Sequence, residues 1–294
     1  MRCALRISRM STQPIITLTT DFGVTDGYVG TMKGVILDIA PRAQLVDITH
    51  EIAPQDVRQT AYVLYTACPF FPPHAVHLVV VDPGVGSLRR PIAARSAWGL
   101  FVGPDNGVFS YVMGAGAVGQ AEGAEVVELA DPRYRLSQVS HTFHGRDIFA
   151  PAAAHLATGV PLQQLGPLVS DPVLLPLPRL ELGTHVIRGE VLHADHFGNV
   201  ITSIGRLLWE DGDLALEPVF QETVGPGIRF KAAMALVTVG GRDIARLHRT
   251  YADVDHGQVL ALVGSEGHLE IAVREGSGAS ELGLRPGDPV ELRW

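Results

Sequence analysis

Acidic residues stand at two points where the sequence predicts the end of a β-strand. Asp21 follows the β-branched run 15–20, and Asp82 follows the aliphatic run 77–81 and opens a glycine-rich turn. In open parallel sheets, ligands lie beyond the carboxyl ends of the strands, where an acid commonly holds ribose hydroxyls. Asp21 taken alone is explained more simply as a turn or helix cap. For Asp82, a ligand-binding loop and a plain turn before a surface arginine pair fit equally well. Neither segment carries the glycine pattern of a dinucleotide or phosphate loop.

A third polar cluster opens a predicted helix that runs through residues 152–155. Its members His141, His144 and Asp147 are spaced along one helical face, an arrangement that can bind a metal. Gly145, however, places His144 in the turn that enters the helix, and the segment has no HExxH framework. A hydrogen-bonding or proton-handling role for His144 fits the sequence as well as a structural one.

Two polar turns lie between predicted strands in the second half of the chain. The first runs from Asp195 to Asn199, and the second is Gly264-Ser265-Glu266-Gly267. Polar groups on the loops of a β scaffold form many binding sites, and they are also the ordinary ends of hairpins. From its residues alone, the chain is predicted to bind a polar, nucleoside-like small molecule.

The elements that must position these residues change in character along the chain. At first, short apolar strands alternate with helix-period segments such as 27–40, which predicts βαβ crossovers. Residues 13–174 are therefore predicted to form an N-terminal α/β domain with three layers and a mainly parallel sheet. The proline-rich stretch 174–178 predicts an extended linker. Strands and tight turns dominate beyond it, so residues 184–294 are predicted to form a smaller antiparallel β-barrel or sandwich.

Composition and charge exclude several classes of protein. Of the 294 residues, 46% are hydrophobic and 18% are charged, a composition typical of a folded chain with a large core. The formal net charge of −8 argues against a nucleic-acid or anionic-membrane partner. No apolar run approaches the ~18 residues of a membrane helix.

The two cysteines provide no disulfide framework, so a cytoplasmic location is expected. The basic stretch 1–12 lacks the apolar segment of a signal peptide and is expected to be a tail without catalytic function.

Taken in order, five segments make the chain resemble the S-adenosylmethionine hydroxide adenosyltransferase family. This family is the hydrolase branch of a superfamily that also contains fluorinating and chlorinating enzymes. The resemblance extends over nearly all of residues 15–294. The segments that carry it are LTTDFGVTDGYVG, VVVDPGVGSLRRPI, VGPDNGVFS, TFHGRDIFAPAAAHLA and DHFGNVITSI. Their occurrence in this order is far more specific than any one of them.

The resemblance implies that water or hydroxide displaces methionine at the ribose 5′ carbon of S-adenosylmethionine, giving adenosine and methionine. Asp82, Arg89 and His144 match the family's catalytic Asp–Arg–His set near the attacking water. Halogenating relatives carry a non-acidic residue at the position of Asp82. A carboxylate at that position repels halide, and it can orient water and accept its proton. Arg89 is expected to stabilise a hydroxide-like nucleophile, and His144 to position it.

The resemblance also implies the contacts to the substrate. Asp21 matches the acid that binds the ribose diol, and Asn199 matches a residue that contacts adenine. The positions around the methionine ammonium and carboxylate correspond to Asp26, Asp195 and Ser265. The second polar turn departs from the family's Asn-Ser-Ser-Gly, because Glu266 replaces the second serine. A negative charge there would be unfavourable beside the substrate carboxylate.

No cofactor or metal is expected, since S-adenosylmethionine is itself the substrate. The resemblance implies a homotrimer, with each site between the α/β domain of one subunit and the β domain of a neighbour. Three rival functions stay open. One is a 5′-halogenase of the same fold, which Asp82 argues against, and another is a non-catalytic sensor of S-adenosylmethionine or adenosine. The third is a metal-dependent hydrolase built on His141, His144 and Asp147.

Overall fold

The structure is a computed structural model that describes residues 13–113, 125–220 and 227–294. The predicted tail 1–12 lies outside the described residues. The chain divides into two compact units, and the division falls between the strands that end by residue 128 and those that begin at residue 180. Within the described part of the chain, every helix is too short or too polar to cross a membrane.

The first unit is built on a mixed sheet. Its described strands are β1 (Ile15–Thr20), β2 (Gln44–Thr49), β3 (Val76–Val80), β4 (Pro91–Ser96), β5 (Gly99–Pro104) and β6 (Glu125–Glu128). They lie in the order β2-β1-β3-β5-β4-β6. The neighbours β2, β1, β3 and β5 are parallel, whereas β4 is antiparallel to β5 and β6. The mainly parallel sheet is confirmed, with an antiparallel β4 that the sequence analysis did not predict.

Helices and turns cover the two faces of this sheet. The described helices are α1 (Tyr28–Ile39), α2 (Val57–Ala67), α3 (Ser110–Met113), α4 (Ala150–Ala157) and α5 (Gly278–Leu282). Of these, α1 and α4 belong to the first unit, whereas residues 61–66 of α2 cluster with the second unit, as do α3 and α5. Side chains alternate across a strand, so Ile16 and Leu78 share one buried face, which packs in a core with residues of α1 and α4. His77 points to the other face, where Cys68 Sγ lies 3.6 Å from its Nδ1. The sheet is the middle of three layers.

The strand order creates a crevice between β1 and β3. From β1 the chain crosses to β2 on one side, and it then returns past β1 to β3 on the other side. Ligands of open α/β sheets bind at such a reversal of direction, beyond the carboxyl ends of the strands. Asp21 directly follows β1 and Asp82 lies just beyond β3, so both acids stand at this edge.

The second unit is mainly antiparallel. Its described strands are β7 (Leu180–Leu182), β8 (Val186–Ala194), β9 (Val200–Thr202), β10 (Leu207–Glu210), β11 (Asp213–Leu216), β12 (Ile228–Lys231), β13 (Leu236–Val239), β14 (Arg242–Ala245), β15 (Val259–Val263), β16 (Leu269–Val273) and β17 (Pro289–Arg293). One sheet has the order β14-β13-β17-β8-β9-β16-β15, with β7 beside β8, and β10–β12 form another. His248, just after β14, bridges to Leu262 of β15, so the larger sheet nearly closes. The predicted antiparallel barrel is confirmed.

Candidate active site

Asp82, Arg89 and His144 form one hydrogen-bonded set at the carboxyl edge of the first sheet. Arg89 Nε donates to Asp82 Oδ1 at 2.9 Å and to Oδ2 at 3.0 Å, and Arg89 Nη2 also donates to Oδ2. The same Nη2 lies 2.7 Å from His144 Nδ1. The Asp82 and Arg89 side chains are only 5% and 8% exposed. Exclusion of water strengthens charge-assisted hydrogen bonds of this kind.

The contact with Arg89 determines which nitrogen of His144 carries the proton. A guanidinium has only donors, so Nδ1 must accept and the proton of the neutral ring lies on Nε2. Burial lowers the pKa of His144, as does the positive charge of Arg89, while the charge of Asp82 opposes them. The neutral ring is favoured, and its Nε2–H can donate to an oxygen atom of a ligand.

We expect the His144 imidazole to titrate below the ordinary histidine pKa of about 6.5. The neutral ring exists above its pKa, so the Arg89–His144 hydrogen bond is intact at pH 6.5 and is lost only at lower pH. Asp82→Asn removes the larger of the two carboxylate charges that oppose the shift, the other being that of Asp147, and the midpoint should fall further. NMR titration of both proteins measures this. A wild-type midpoint above 6.5, or an upward shift in the variant, contradicts the arrangement.

Two glycines allow the segments that carry this set to approach closely. Gly86 has a φ of +76°, and a Cβ atom there would lie 2.5 Å from the carbonyl oxygen of His141. A Cβ atom on Gly145 would lie 3.2 Å from side-chain atoms of both α1 and β3. Gly145 also begins the π-helical turn Gly145–Phe149, which leads into α4. Such turns are frequent at functional sites, and this one follows directly after His144.

Gly86→Ala is expected to destabilise the fold by about 1–3 kcal/mol, because it adds both backbone strain and a clash with the chain at His141. Gly34→Ala is the matched control, since a Cβ atom at that position of α1 meets nothing within 4 Å. Alanine has the higher helix propensity, so the control should be neutral or slightly more stable. Thermal unfolding compares the two variants. Equal stability of Gly86→Ala and the wild type would mean that this packing is unimportant.

A pocket of about 400 Å³ opens beside the Asp82–Arg89–His144 set. Its lining includes Asp21, Tyr28, Gln55, Asp82, Phe143 and His144. The rings of Phe22, Tyr28 and Phe143 contact one another, with centroids 5.3 to 6.0 Å apart. The pocket therefore combines carboxylate acceptors with aromatic surface, a combination that suits a sugar ring carrying hydroxyl groups.

The loop after β2 holds the carboxylate of Asp21. Asp21 Oδ2 accepts from the backbone N–H of Gln55 at 2.8 Å. Gln55 has a φ of +67°, which is uncommon for a residue with a side chain and is often found at functional sites. Asp26, by contrast, lies exposed in the turn before α1 and does not line the pocket. The structure brings together four of the five predicted site residues of the first unit.

The predicted residues of the second unit also come together. Asp195, Asn199 and Ser265 line a pocket of about 790 Å³. Asp195 Oδ1 accepts from the backbone N–H groups of Phe197 and Asn199, both at 2.9 Å, and Oδ2 accepts from Asn199 Nδ2 at 3.0 Å. Ser265 is exposed, and its Oγ lies 3.4 Å from Glu266 Oε1.

Glu266 does not line this pocket. Its charge acts on Tyr62 and Tyr65 of the same unit: burial raises the pKa of each tyrosine, and Glu266 raises it further. The sequence predicted that Glu266 would place a negative charge beside the substrate carboxylate. In the structure, Ser265 lines the second pocket and Glu266 does not.

Sequence reasoning missed several residues that line the two pockets. Tyr251 and Glu270 line the second pocket, and Gln55 lines the first. Glu270 could have been found, because it is a single acid within the otherwise apolar strand Leu269–Val273. No local sequence pattern predicts that Gln55 or Tyr251 lines a pocket, because the position of each residue depends on the backbone conformation of its loop.

His141, His144 and Asp147 do not form a metal site. Asp147 is fully buried and accepts from Arg146 and from the backbone N–H of Ser140, whereas His144 contacts Arg89. Across the described ranges, no three His, Cys, Asp or Glu side chains are grouped to hold a metal ion. The three side chains are therefore not grouped as ligands in this structure.

The fold and the first pocket define an α/β protein with an aspartate–arginine–histidine set at the switch point of its sheet, followed in the chain by an antiparallel β unit. The model of the SAM hydroxide adenosyltransferase N-terminal domain matches residues 16–166, and that of the C-terminal domain matches residues 189–291. The chain belongs to the SAM hydroxide adenosyltransferase family.

Individual relatives span nearly the whole chain. The (R)-S-adenosyl-L-methionine hydrolase of Salinispora tropica is 41% identical over 286 residues, covering 96% of this chain and 99% of the relative. The fluorinase of Nocardia brasiliensis is 28% identical over 309 residues, covering 96% and 97%. The crystal structure of an uncharacterized conserved protein from Thermotoga maritima is 36% identical, with a TM-score of 0.79 over 95% of this chain and 100% of that one.

Proposed function

We propose that the protein hydrolyses S-adenosylmethionine to adenosine and methionine by attack of water on the ribose 5′ carbon. The observation that carries the proposal is the buried Asp82–Arg89–His144 set beside a pocket that also contains Asp21. Membership of the family and the 41% identity to the S. tropica hydrolase support the substrate and the reaction.

The reaction assigns a task to each member of the set. The water oxygen forms a bond to C5′ while the C5′–S bond breaks. The electron pair of the C5′–S bond goes to sulfur and neutralises the sulfonium. Asp82 accepts the proton of the water, since a carboxylate has more lone pairs than Arg89 occupies. Arg89 stabilises the developing hydroxide. The Nε2–H of His144 can donate to the attacking water and orient it.

The proposal assigns the substrate contacts to residues of both units. Asp21 binds the ribose diol and Asn199 contacts adenine, while Asp26, Asp195 and Ser265 surround the methionine end. A homotrimer is part of the proposal, with each site shared by the α/β domain of one subunit and the β domain of a neighbour. Its support is the resemblance to the family, and native mass spectrometry tests it. The proposal includes no cofactor, and it places the protein in the cytoplasm because its cysteines provide no disulfide framework.

Incubation of the purified protein with S-adenosylmethionine tests the function. Chromatography should detect adenosine and methionine in equal amounts, in chloride or fluoride buffers and in the presence of a chelator. Formation of 5′-halo-adenosine without adenosine would identify a halogenase. Binding without either product would identify a sensor. Activity that a chelator abolishes and a metal restores would require a metal-dependent reaction. Each of these three outcomes overturns the proposal.

Asp21→Ala should weaken substrate binding more than Asp21→Asn does. A carboxylate accepts a hydrogen bond from each ribose hydroxyl, and the amide keeps one of the two acceptors. Loss of a hydrogen bond to a charged group should reduce affinity about ten- to a hundredfold in the alanine variant. Calorimetry with S-adenosylmethionine measures this. Unchanged affinity in Asp21→Ala would reduce Asp21 to a turn residue that Gln55 holds.

A further inference from the structure

Asp195 binds one of the two N–H bonds of the Asn199 amide. Asn199 Nδ2 donates to Asp195 Oδ2 at 3.0 Å. A carboxylate has no proton to donate, so the amide nitrogen, and not its oxygen, must face Asp195. Asp195 is itself held, because its Oδ1 accepts from the backbone N–H groups of Phe197 and Asn199. One of the two N–H bonds of the Asn199 amide is thereby assigned.

Tyr251 and Glu270 provide an acceptor for the other N–H bond. The Tyr251 hydroxyl donates to Glu270 Oε1 at 2.5 Å, which leaves the lone pairs of its oxygen as acceptors. Asn199 Nδ2 lies 3.5 Å from this oxygen. Glu270 is only 7% exposed, so it depends on the donor that Tyr251 provides. The hydroxyl proton is therefore committed to Glu270.

The oxygen of the Asn199 amide is the atom left for a ligand. No donor to Asn199 Oδ1 is found in the described part of the chain, and Asn199, Tyr251 and Glu270 all line the second pocket. We propose that Tyr251 and Glu270 are positioning residues that orient Asn199 Oδ1 to select a purine with a hydrogen-bond donor at its 6 position. A 6-amino group donates to this oxygen, whereas a 6-oxo group would place two acceptors face to face. The inference rests on the proposed function, in which Asn199 contacts adenine.

The test compares the binding of adenosine and inosine to the full chain by calorimetry. The wild type should bind adenosine at least about tenfold more tightly. Tyr251→Phe removes the acceptor for the second N–H bond, and the preference should fall about three- to tenfold. Glu270→Gln provides a second variant. The glutamine amide can donate to the Tyr251 oxygen, so the hydroxyl proton is no longer committed to residue 270. Glu270→Gln should therefore also lower the preference for adenosine.

Tyr134→Phe is the matched control. Tyr134 donates to Gln164 Oε1 at 3.0 Å in the first unit, outside both pockets. This variant also loses a tyrosine hydroxyl hydrogen bond, yet its preference for adenosine should equal that of the wild type. Equal binding of the two nucleosides by the wild type overturns the inference. An undiminished preference in folded Tyr251→Phe and Glu270→Gln also overturns it.

Hydrolysis of S-adenosylmethionine by the same preparations separates this inference from the proposed function. Tyr251→Phe should raise KM and leave kcat nearly unchanged, because Tyr251 acts on binding through Asn199. A wild type that forms no adenosine overturns the proposed function. The nucleoside preference, and its loss in Tyr251→Phe, would still support the orientation of Asn199 in that case.

Discussion

Asp82→Asn is expected to slow hydrolysis of S-adenosylmethionine by about 10²–10⁴-fold, the usual contribution of a general base. Asparagine keeps the shape of the side chain, and its carbonyl oxygen can still accept from Arg89. It cannot take a proton from water at neutral pH. The loss should therefore appear in kcat, with KM little changed.

Single-turnover rates and melting temperatures on one preparation separate this role from a structural one. If Asp82 acted only by pairing with Arg89 and capping its glycine-rich turn, Asp82→Asn would lower the melting temperature with little kinetic change. Both carboxylate oxygens of Asp82 accept from Arg89, so loss of the ion pair is expected to lower stability whichever role Asp82 has. The kinetic loss is therefore the result that identifies catalysis. Normal hydrolysis by the variant would show that the role assigned to Asp82 is wrong.

Arg89→Met should abolish most activity and also destabilise the fold by about 3–5 kcal/mol, the cost of breaking a buried ion pair. Methionine replaces much of the volume of the side chain. It leaves Asp82, only 5% exposed, without its cation and His144 Nδ1 without its donor. Arg133→Met is the control, because the Arg133 side chain is 71% exposed and paired with Asp131. Its effect on stability should stay within about 0.5 kcal/mol.

The double variant Asp82→Asn/Arg89→Met distinguishes electrostatics from packing. Residues in direct contact are energetically coupled, so their effects on stability should not add. Removing both charges leaves no uncompensated ion, and the double variant should be more stable than Arg89→Met while staying inactive. Chemical denaturation of the four proteins gives the coupling energy. Additive destabilisation would mean that the ion pair contributes little to the fold.

Much of the fold could be predicted because the hydrophobic pattern is local. The strand Ile15–Thr20 has the predicted bounds, and Asp21 and Asp82 lie at the predicted ends of strands. The strand Pro91–Ser96 was missed. It follows the arginine pair directly and forms a hairpin with its neighbour, and its short mixed run gives no clear period.

The assembly of the site could not be predicted from spacing. Arg89 and His144 are 55 positions apart, and their contact depends on the close packing of Gly86 against His141. The grouping of Asp82, Arg89 and His144 was predicted from the resemblance to the family and not from local sequence patterns. It did not supply the hydrogen bonds that hold Asp195 within its own turn, because these depend on the backbone path.

The most direct test of the central claim follows the oxygen atom of the nucleophile. S-adenosylmethionine is hydrolysed by the wild type in water enriched with heavy oxygen, and the adenosine and methionine are analysed by mass spectrometry. Attack of water on C5′, arranged by Asp82, Arg89 and His144, predicts that the label enters the 5′ hydroxyl of adenosine and is absent from methionine. Unlabelled adenosine, or a halogen at the 5′ carbon, would contradict that claim.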